Sequence, residues 1–132
     1  MKQSVGSMQR RQADFSFFIP QRYDRMQNVT PPELAEWLDK ADRFQPMLLD
    51  VREPWEFQTC HIEGALTIPM NNIPDKLFEL DKEQPIICIC HHGVRSMRVA
   101  LFLEEYGFIQ ISNLTGGVHA WAQQVDSTMP TY

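Results

Sequence analysis

Cys90 opens the run Cys90-His91-His92-Gly93-Val94-Arg95-Ser96, in which a thiol, two imidazoles, a guanidinium and a hydroxyl stand together. A thiolate is a nucleophile, a soft metal ligand or a redox centre, and its surroundings decide which. The run follows residues 86–90, Ile-Ile-Cys-Ile-Cys, the most continuously apolar stretch of the chain. It precedes the best helical pattern, residues 96–106, closed by Gly107. Strand, tight loop and helix start then place a thiol first in a loop whose backbone N–H groups converge into an anion nest. The positive end of the following helix adds to that nest. Gly93 relieves the steric cost of the curvature. Such a setting favours the charged thiolate and would equally hold an anion formed on its sulfur.

The neighbouring residues divide by expected role. His91 and His92 line the mouth of the loop, where imidazoles that titrate near neutrality offer positive charge to an anionic substrate. Arg95, by its side chain or the adjacent amides of Val94 and Ser96, holds the loop and favours anions. Cys88, two residues upstream of Cys90 on one strand, faces the same side but deeper, and is expected in the core. Asp50 and Arg52 read as a structural ion pair at a strand end, with Glu56 close by in sequence; an acid–base role is not assigned to them. His61 is expected to be a structural hydrogen-bonder beside Cys60. Trp37 and Trp121 are expected to pack.

The elements that must position these groups alternate between strand and helix from Asn28 onward. Thr30-Pro31-Pro32-Glu33 has the form of a capped helix start, with Leu34, Trp37 and Leu38 on one face. Residues 47–51 and 65–68 read as short strands, and a brief helical segment over 75–80 follows Pro74. Residues 86–90 read as a central parallel strand, 109–114 as a further strand, and Gly116-Gly117 as the turn into a last helix. Alternation through short connections implies an α/β domain with a mainly parallel sheet, whose ligands bind beyond the carboxyl ends of the strands. Residues 1–27 differ, being rich in Gln, Arg and Ser with an isolated aromatic cluster at Phe15, Phe17 and Phe18. They are expected to form an extension, flexible or docked, and in part derived from an expression vector. The folded domain is then expected over 28–132.

The bulk properties narrow the function. At 132 residues, 43% hydrophobic and 22% charged, the chain suits one globular domain. A net charge of −5, with basic residues scattered apart from Arg10-Arg11, disfavours a nucleic-acid partner. No apolar run reaches the roughly 20 residues of a membrane span. Three cysteines, two of them nearly adjacent, fit reduced thiols and a cytoplasmic setting.

With these residues in view, the chain resembles the rhodanese family. The resemblance rests on Cys90-x-x-Gly93-x-Arg95-Ser96, on Asp50-Val51-Arg52 with Glu53 and Glu56, on His61-Ile62-Glu63-Gly64-Ala65 with Ile68-Pro69, and on Gly116-Gly117 with Trp121. These cover about residues 28 to 125 in the family's order. The resemblance implies a three-layer domain with a five-stranded, mainly parallel sheet flanked by helices. It also implies a sulfurtransferase that moves sulfane sulfur from thiosulfate or a persulfide to a thiol or cyanide acceptor, through a persulfide on Cys90. One departure is Cys60, where the family commonly has glycine; it is either a resolving thiol or a variation without a role. No cofactor or metal is expected, because Cys88-x-Cys90-His91-His92 lacks the paired spacing of a closed zinc cage. A phosphatase reading is disfavoured, since four residues separate Cys90 from Arg95 where phosphatases keep five. A non-catalytic module that binds a partner or senses redox state is the remaining alternative.

Overall fold

The computed structural model describes residues 26–132. The expectations for the N-terminal extension, including Phe15, Phe17, Phe18 and Arg10-Arg11, fall outside the described residues, save for its last two positions.

Five short strands build one parallel sheet: β1 (Met26–Val29), β2 (Met47–Asp50), β3 (Leu66–Thr67), β4 (Ile86–Ile89) and β5 (Ile111–Leu114). Their spatial order is β1-β5-β4-β2-β3, and every pairing is parallel. The strand expected over residues 86–90 is therefore central, flanked by β2 and β5, and all four of its residues are buried. From β2 the chain steps outward to β3, returns to β4, then steps the other way to β5. The crevice beside the carboxyl end of β4 thus lies at the point where winding reverses, the usual place for a ligand in an open α/β sheet.

Strand alternation sends β4 side chains to two separate core layers. Ile86 and Cys88, with Cys90 just beyond, join Leu49, Val99, Leu103 and Ile111 on one face. Ile87 and Ile89 join Leu34, Trp37, Leu48, Val118 and Trp121 on the other. Helix α3 (Val94–Glu105) covers the first face; α1 (Pro31–Asp39) and α4 (Gly117–Gln124) cover the second. Cys88, Trp37 and Trp121 are core residues, as their sequence positions predict. Helix α1 starts through the expected capping box, with Thr30 Oγ1 accepting from Glu33 N and Glu33 Oε1 accepting from Thr30 N.

Several elements differ from the expectation. Strand β1 begins at Met26, so residues 26 and 27 pair with Ile111 and Ser112 rather than standing apart. Helix α2 (Pro54–Thr59) has no counterpart in the periodicity, since six residues carry little pattern; Pro54 at its first turn and a Glu53/Glu56 capping box start it. Helix α3 begins at Val94, not Ser96, because Gly93 in the left-handed region (φ 100°) turns the chain straight into it. The segment expected around 75–80 is a 3₁₀ helix, Pro74–Glu79.

Candidate functional site

The loop after β4 wraps Cys90 Sγ in donors. Gly93 N points at the sulfur from 3.1 Å and Ser96 N from 3.3 Å, and Ser96 Oγ lies 3.2 Å away. Ser96 is the third residue of α3, so its N–H is one of the amides that have no partner inside the helix. The helix thereby presents its positive end to the sulfur. Cys90 is 1% exposed and Ser96 fully buried, so these contacts are weakly screened by water. A nest of this kind stabilises negative charge on sulfur.

Asn113, on β5, braces the nest from the neighbouring strand. Its amide Nδ2 donates to Gly93 O at 3.2 Å, which turns Oδ1 toward the Ser96 hydroxyl. That hydroxyl has one proton and two acceptors, Asn113 Oδ1 and Cys90 Sγ. Charge on the sulfur shifts the competition toward Sγ. The loop is fixed from α4 as well, where Val118 N donates to Cys90 O at 2.9 Å and His119 N to His91 O at 3.1 Å. Gly117 permits this approach: with φ 61°, an added Cβ there would collide with the carbonyl oxygens of Cys90 and His91.

Behind the loop lie two ion pairs joined by a tyrosine. Arg52, fully buried, makes a bidentate pair with Asp50, Nε to Oδ1 at 2.9 Å and Nη2 to Oδ2 at 2.7 Å. Its remaining donors reach Glu56 O, Cys60 O and the Tyr132 hydroxyl, so all its N–H groups are used. Burial opposes the Arg52 charge, but the hydrogen bonds to Asp50 and Tyr132 outweigh it and push its pKa up. Arg95 forks onto Glu56 with both contacts at 2.8 Å. That contact, despite opposition from burial and with help from Glu53 N and Tyr132, holds the Glu56 carboxyl down at about 2. Tyr132 bridges the pairs, its hydroxyl accepting from Arg52 and donating to Glu56 Oε1 at 2.8 Å. Burial pushes this phenol up to about 12. Its ring stacks on His91 at 4.0 Å.

The sequence-expected residues therefore fall into distinct places. Gly93 and Ser96 meet Cys90 directly, whereas Val94 is 67% exposed and points away from the core. The Arg95 guanidinium is committed to Glu56, so this side chain anchors the loop to α2. The His91 and His92 rings lie tilted against each other with centroids 3.9 Å apart, and burial, followed by the neighbouring His92, holds the His91 imidazole below its usual pKa. Asp50 and Arg52 are paired with each other, 2.7 Å apart, and neither contacts Cys90 Sγ among the contacts described above. His61 Nδ1 lies 2.8 Å from Phe57 O and its ring stacks on Phe57. Cys60 packs on the opposite face of the sheet from Cys90, and Burial pushes the Cys88 thiol up. Asn113, His119 and Tyr132 join the site without having been singled out, because their contacts span sequence distances that no local pattern records.

Comparison with known proteins bears on this geometry. Residues 30–124 match the family described as "Rhodanese-like domain". The chain is 34% identical over 88 residues to the "Thiosulfate sulfurtransferase GlpE" of Pseudoalteromonas translucida, covering 67% of this chain and 84% of that protein. It is 36% identical over 106 residues to the "Probable adenylyltransferase/sulfurtransferase MoeZ" of Mycobacterium tuberculosis, a match covering 79% of this chain but only 26% of that longer protein. A solved rhodanese-like domain protein from Staphylococcus aureus superposes with a TM-score of 0.69 at 34% identity, over 81% of this chain and 99% of that one.

Proposed function

From the premise that this chain belongs to the rhodanese-like domain family, we propose that it is a sulfurtransferase in which Cys90 accepts and passes on a sulfane sulfur. The observation that carries the reading is the set of three donors, Gly93 N, Ser96 N and Ser96 Oγ, aimed at Cys90 Sγ.

The Cys90 thiolate attacks the outer sulfur of the donor. With thiosulfate, the S–S bond of the donor breaks, sulfite leaves with the bonding pair, and Cys90 becomes a persulfide anion. An acceptor then attacks the terminal sulfur and Cys90 departs as thiolate: cyanide gives thiocyanate, and a thiolate gives a new persulfide. Negative charge stays on sulfur at both ends of the cycle, so fixed N–H donors serve each state without rearranging. Of the other cysteines, Cys88 is fully buried in the apolar layer beneath Cys90, and Cys60 lies beside the Arg52 guanidinium on the other face. Neither has a nest. The GlpE relative is named for thiosulfate, which makes that anion the first donor to test.

The test replaces each cysteine singly with serine and measures thiosulfate:cyanide sulfur transfer, alongside the intact mass of protein incubated with thiosulfate alone. Parent, Cys60→Ser and Cys88→Ser should gain the mass of one sulfur atom and turn over. Cys90→Ser should do neither. Substantial transfer by Cys90→Ser, or its loss in a folded Cys88→Ser, would overturn the assignment.

A further inference from the structure

We propose that His91, His92 and His119 form a binding site for a divalent first-row transition ion, with Zn²⁺ the best match, at the mouth of the Cys90 loop. The local spacing of Cys88, Cys90, His91 and His92 does not form a closed cage, but the fold adds a third imidazole from well downstream. One ligand nitrogen from each histidine lies within 4.8 Å of the other two. Nitrogens sharing a tetrahedral ion at about 2.1 Å sit about 3.4 Å apart, so side-chain rotations of about 1 Å close the site.

The framework that presents these rings is preorganised. His91 and His92 leave the loop after β4, while His119 is the third residue of α4. Their backbones are tied together by the His119 N to His91 O hydrogen bond at 3.1 Å. The ring centroids of His92 and His119 are 5.0 Å apart and those of His91 and His92 are 3.9 Å apart. A separate observation points to a ligand: among the described residues, His119 Nδ1 is buried from solvent and has no hydrogen-bond partner. A buried polar nitrogen left bare is costly, and a metal ion would satisfy it.

The donor set selects the class of ion. Three imidazoles with no carboxylate among them suit Zn²⁺, Ni²⁺ or Cu²⁺ and give little to Ca²⁺ or Mg²⁺. Three protein ligands also leave a fourth position open. Metal binding requires the neutral imidazole and is therefore coupled to pH. Cys90 lies outside the group of ligand atoms, so the site is separate from the sulfur nest it adjoins.

The experiment uses the full chain without an added histidine tag, stripped with a chelator and titrated with Zn²⁺ by calorimetry. Co²⁺ absorption serves as a second readout of the donor atoms. The parent should bind one Zn²⁺, with a Co²⁺ spectrum of nitrogen ligation lacking the thiolate charge-transfer band. Cys90→Ser should bind equally well, which separates this proposal from the sulfur-transfer reading. Outer-sphere partners alone are worth 10- to 100-fold in metal affinity, so removing a ligand in His119→Asn should weaken binding at least about 100-fold. Its thermal melt without metal should match the parent, and His119→Gln should repeat the loss. No binding by the parent, parent-like binding by folded His119→Asn, or loss of binding in Cys90→Ser would each overturn the proposal.

Discussion

Replacing Glu56 with glutamine probes the contact that ties the Cys90 loop to the rest of the fold. Glu56 is 4% exposed and accepts from both Arg95 nitrogens, from the Tyr132 hydroxyl and from Glu53 N. Its carboxyl is lowered from 4.5 to about 2, and a shift of that size corresponds to about 3 kcal/mol of stability at neutral pH. Because the folded-state value is the depressed one, this contribution is full above pH 4.5 and fades as the pH falls toward 2. It should be about 1.5 kcal/mol at pH 3 and nearly gone at pH 2. Glutamine turns an N–H toward a guanidinium N–H, and Arg95, a third exposed, recovers some hydration. Urea unfolding of parent and Glu56→Gln at pH 7 and pH 3 reads the difference directly. A deficit of about 3 kcal/mol at pH 7 should shrink by about half at pH 3. A deficit that stays constant over that range, or one below about 0.5 kcal/mol at pH 7, would refute the account of Glu56 as an ionised anchor.

Three further outcomes are expected. Ser96→Ala removes one donor from Cys90 Sγ and bares Asn113 Oδ1, so thiosulfate:cyanide transfer should fall about 10- to 100-fold in a folded protein, and an undiminished rate would dismiss the hydroxyl. Tyr132→Phe keeps the ring on His91 but loses the bridge between Arg52 and Glu56; urea unfolding should show a loss of about 1–2 kcal/mol, and no loss would make the bridge incidental. One glycine inserted between Val94 and Arg95 moves both Ser96 N from the sulfur and Arg95 from Glu56, so transfer should drop by orders of magnitude; parent-like rates would show that loop length is not what shapes the nest.

How much of this was legible in the sequence depends on the range of the contacts. Strand β4 and its loop were readable because the information is local: an apolar run, a thiol, a glycine and a helical pattern follow one another. The capping box at Thr30 and Glu33 was readable for the same reason. Strand β1 was not, because Met26–Val29 is an edge strand with one buried residue and no alternation to detect. Helix α2 is too short for a period to show, although its Glu53/Glu56 spacing was visible. The fold as a five-stranded parallel sheet came through the family resemblance, and the observed topology agrees with it. His119 and Tyr132 could not be placed: the contacts of Tyr132 with Glu56 and Arg52 bridge 76 and 80 residues, beyond any sequence window.

The fate of the two arginines changes how the site must attract its substrate. Arg95 reads from the sequence as a cation for anions, yet its guanidinium is forked onto Glu56, and Arg52 is forked onto Asp50. Each positive charge therefore has a carboxylate partner within 2.8 Å, and at the distance of the sulfur the two pairs largely cancel. What remains to favour negative charge is dipolar: the N–H groups of Gly93 and Ser96 and the first turn of α3. Dipoles act over short range, so they hold charge already on Cys90 far better than they draw a distant dianion. Long-range attraction is then left to His91 and His92, and the neutral form favoured at His91 keeps it weak at pH 7. On the proposed reading, the site stabilises sulfur anions once formed and depends on the donor's own contacts at the mouth to bring the sulfur in. A folded Arg95→Gln should therefore lose stability more than it loses affinity for thiosulfate. The comparison of its urea midpoint with its KM for thiosulfate distinguishes an anchor from an anion receptor, and a KM that rises many-fold in a protein of unchanged stability would return Arg95 to the receptor's role.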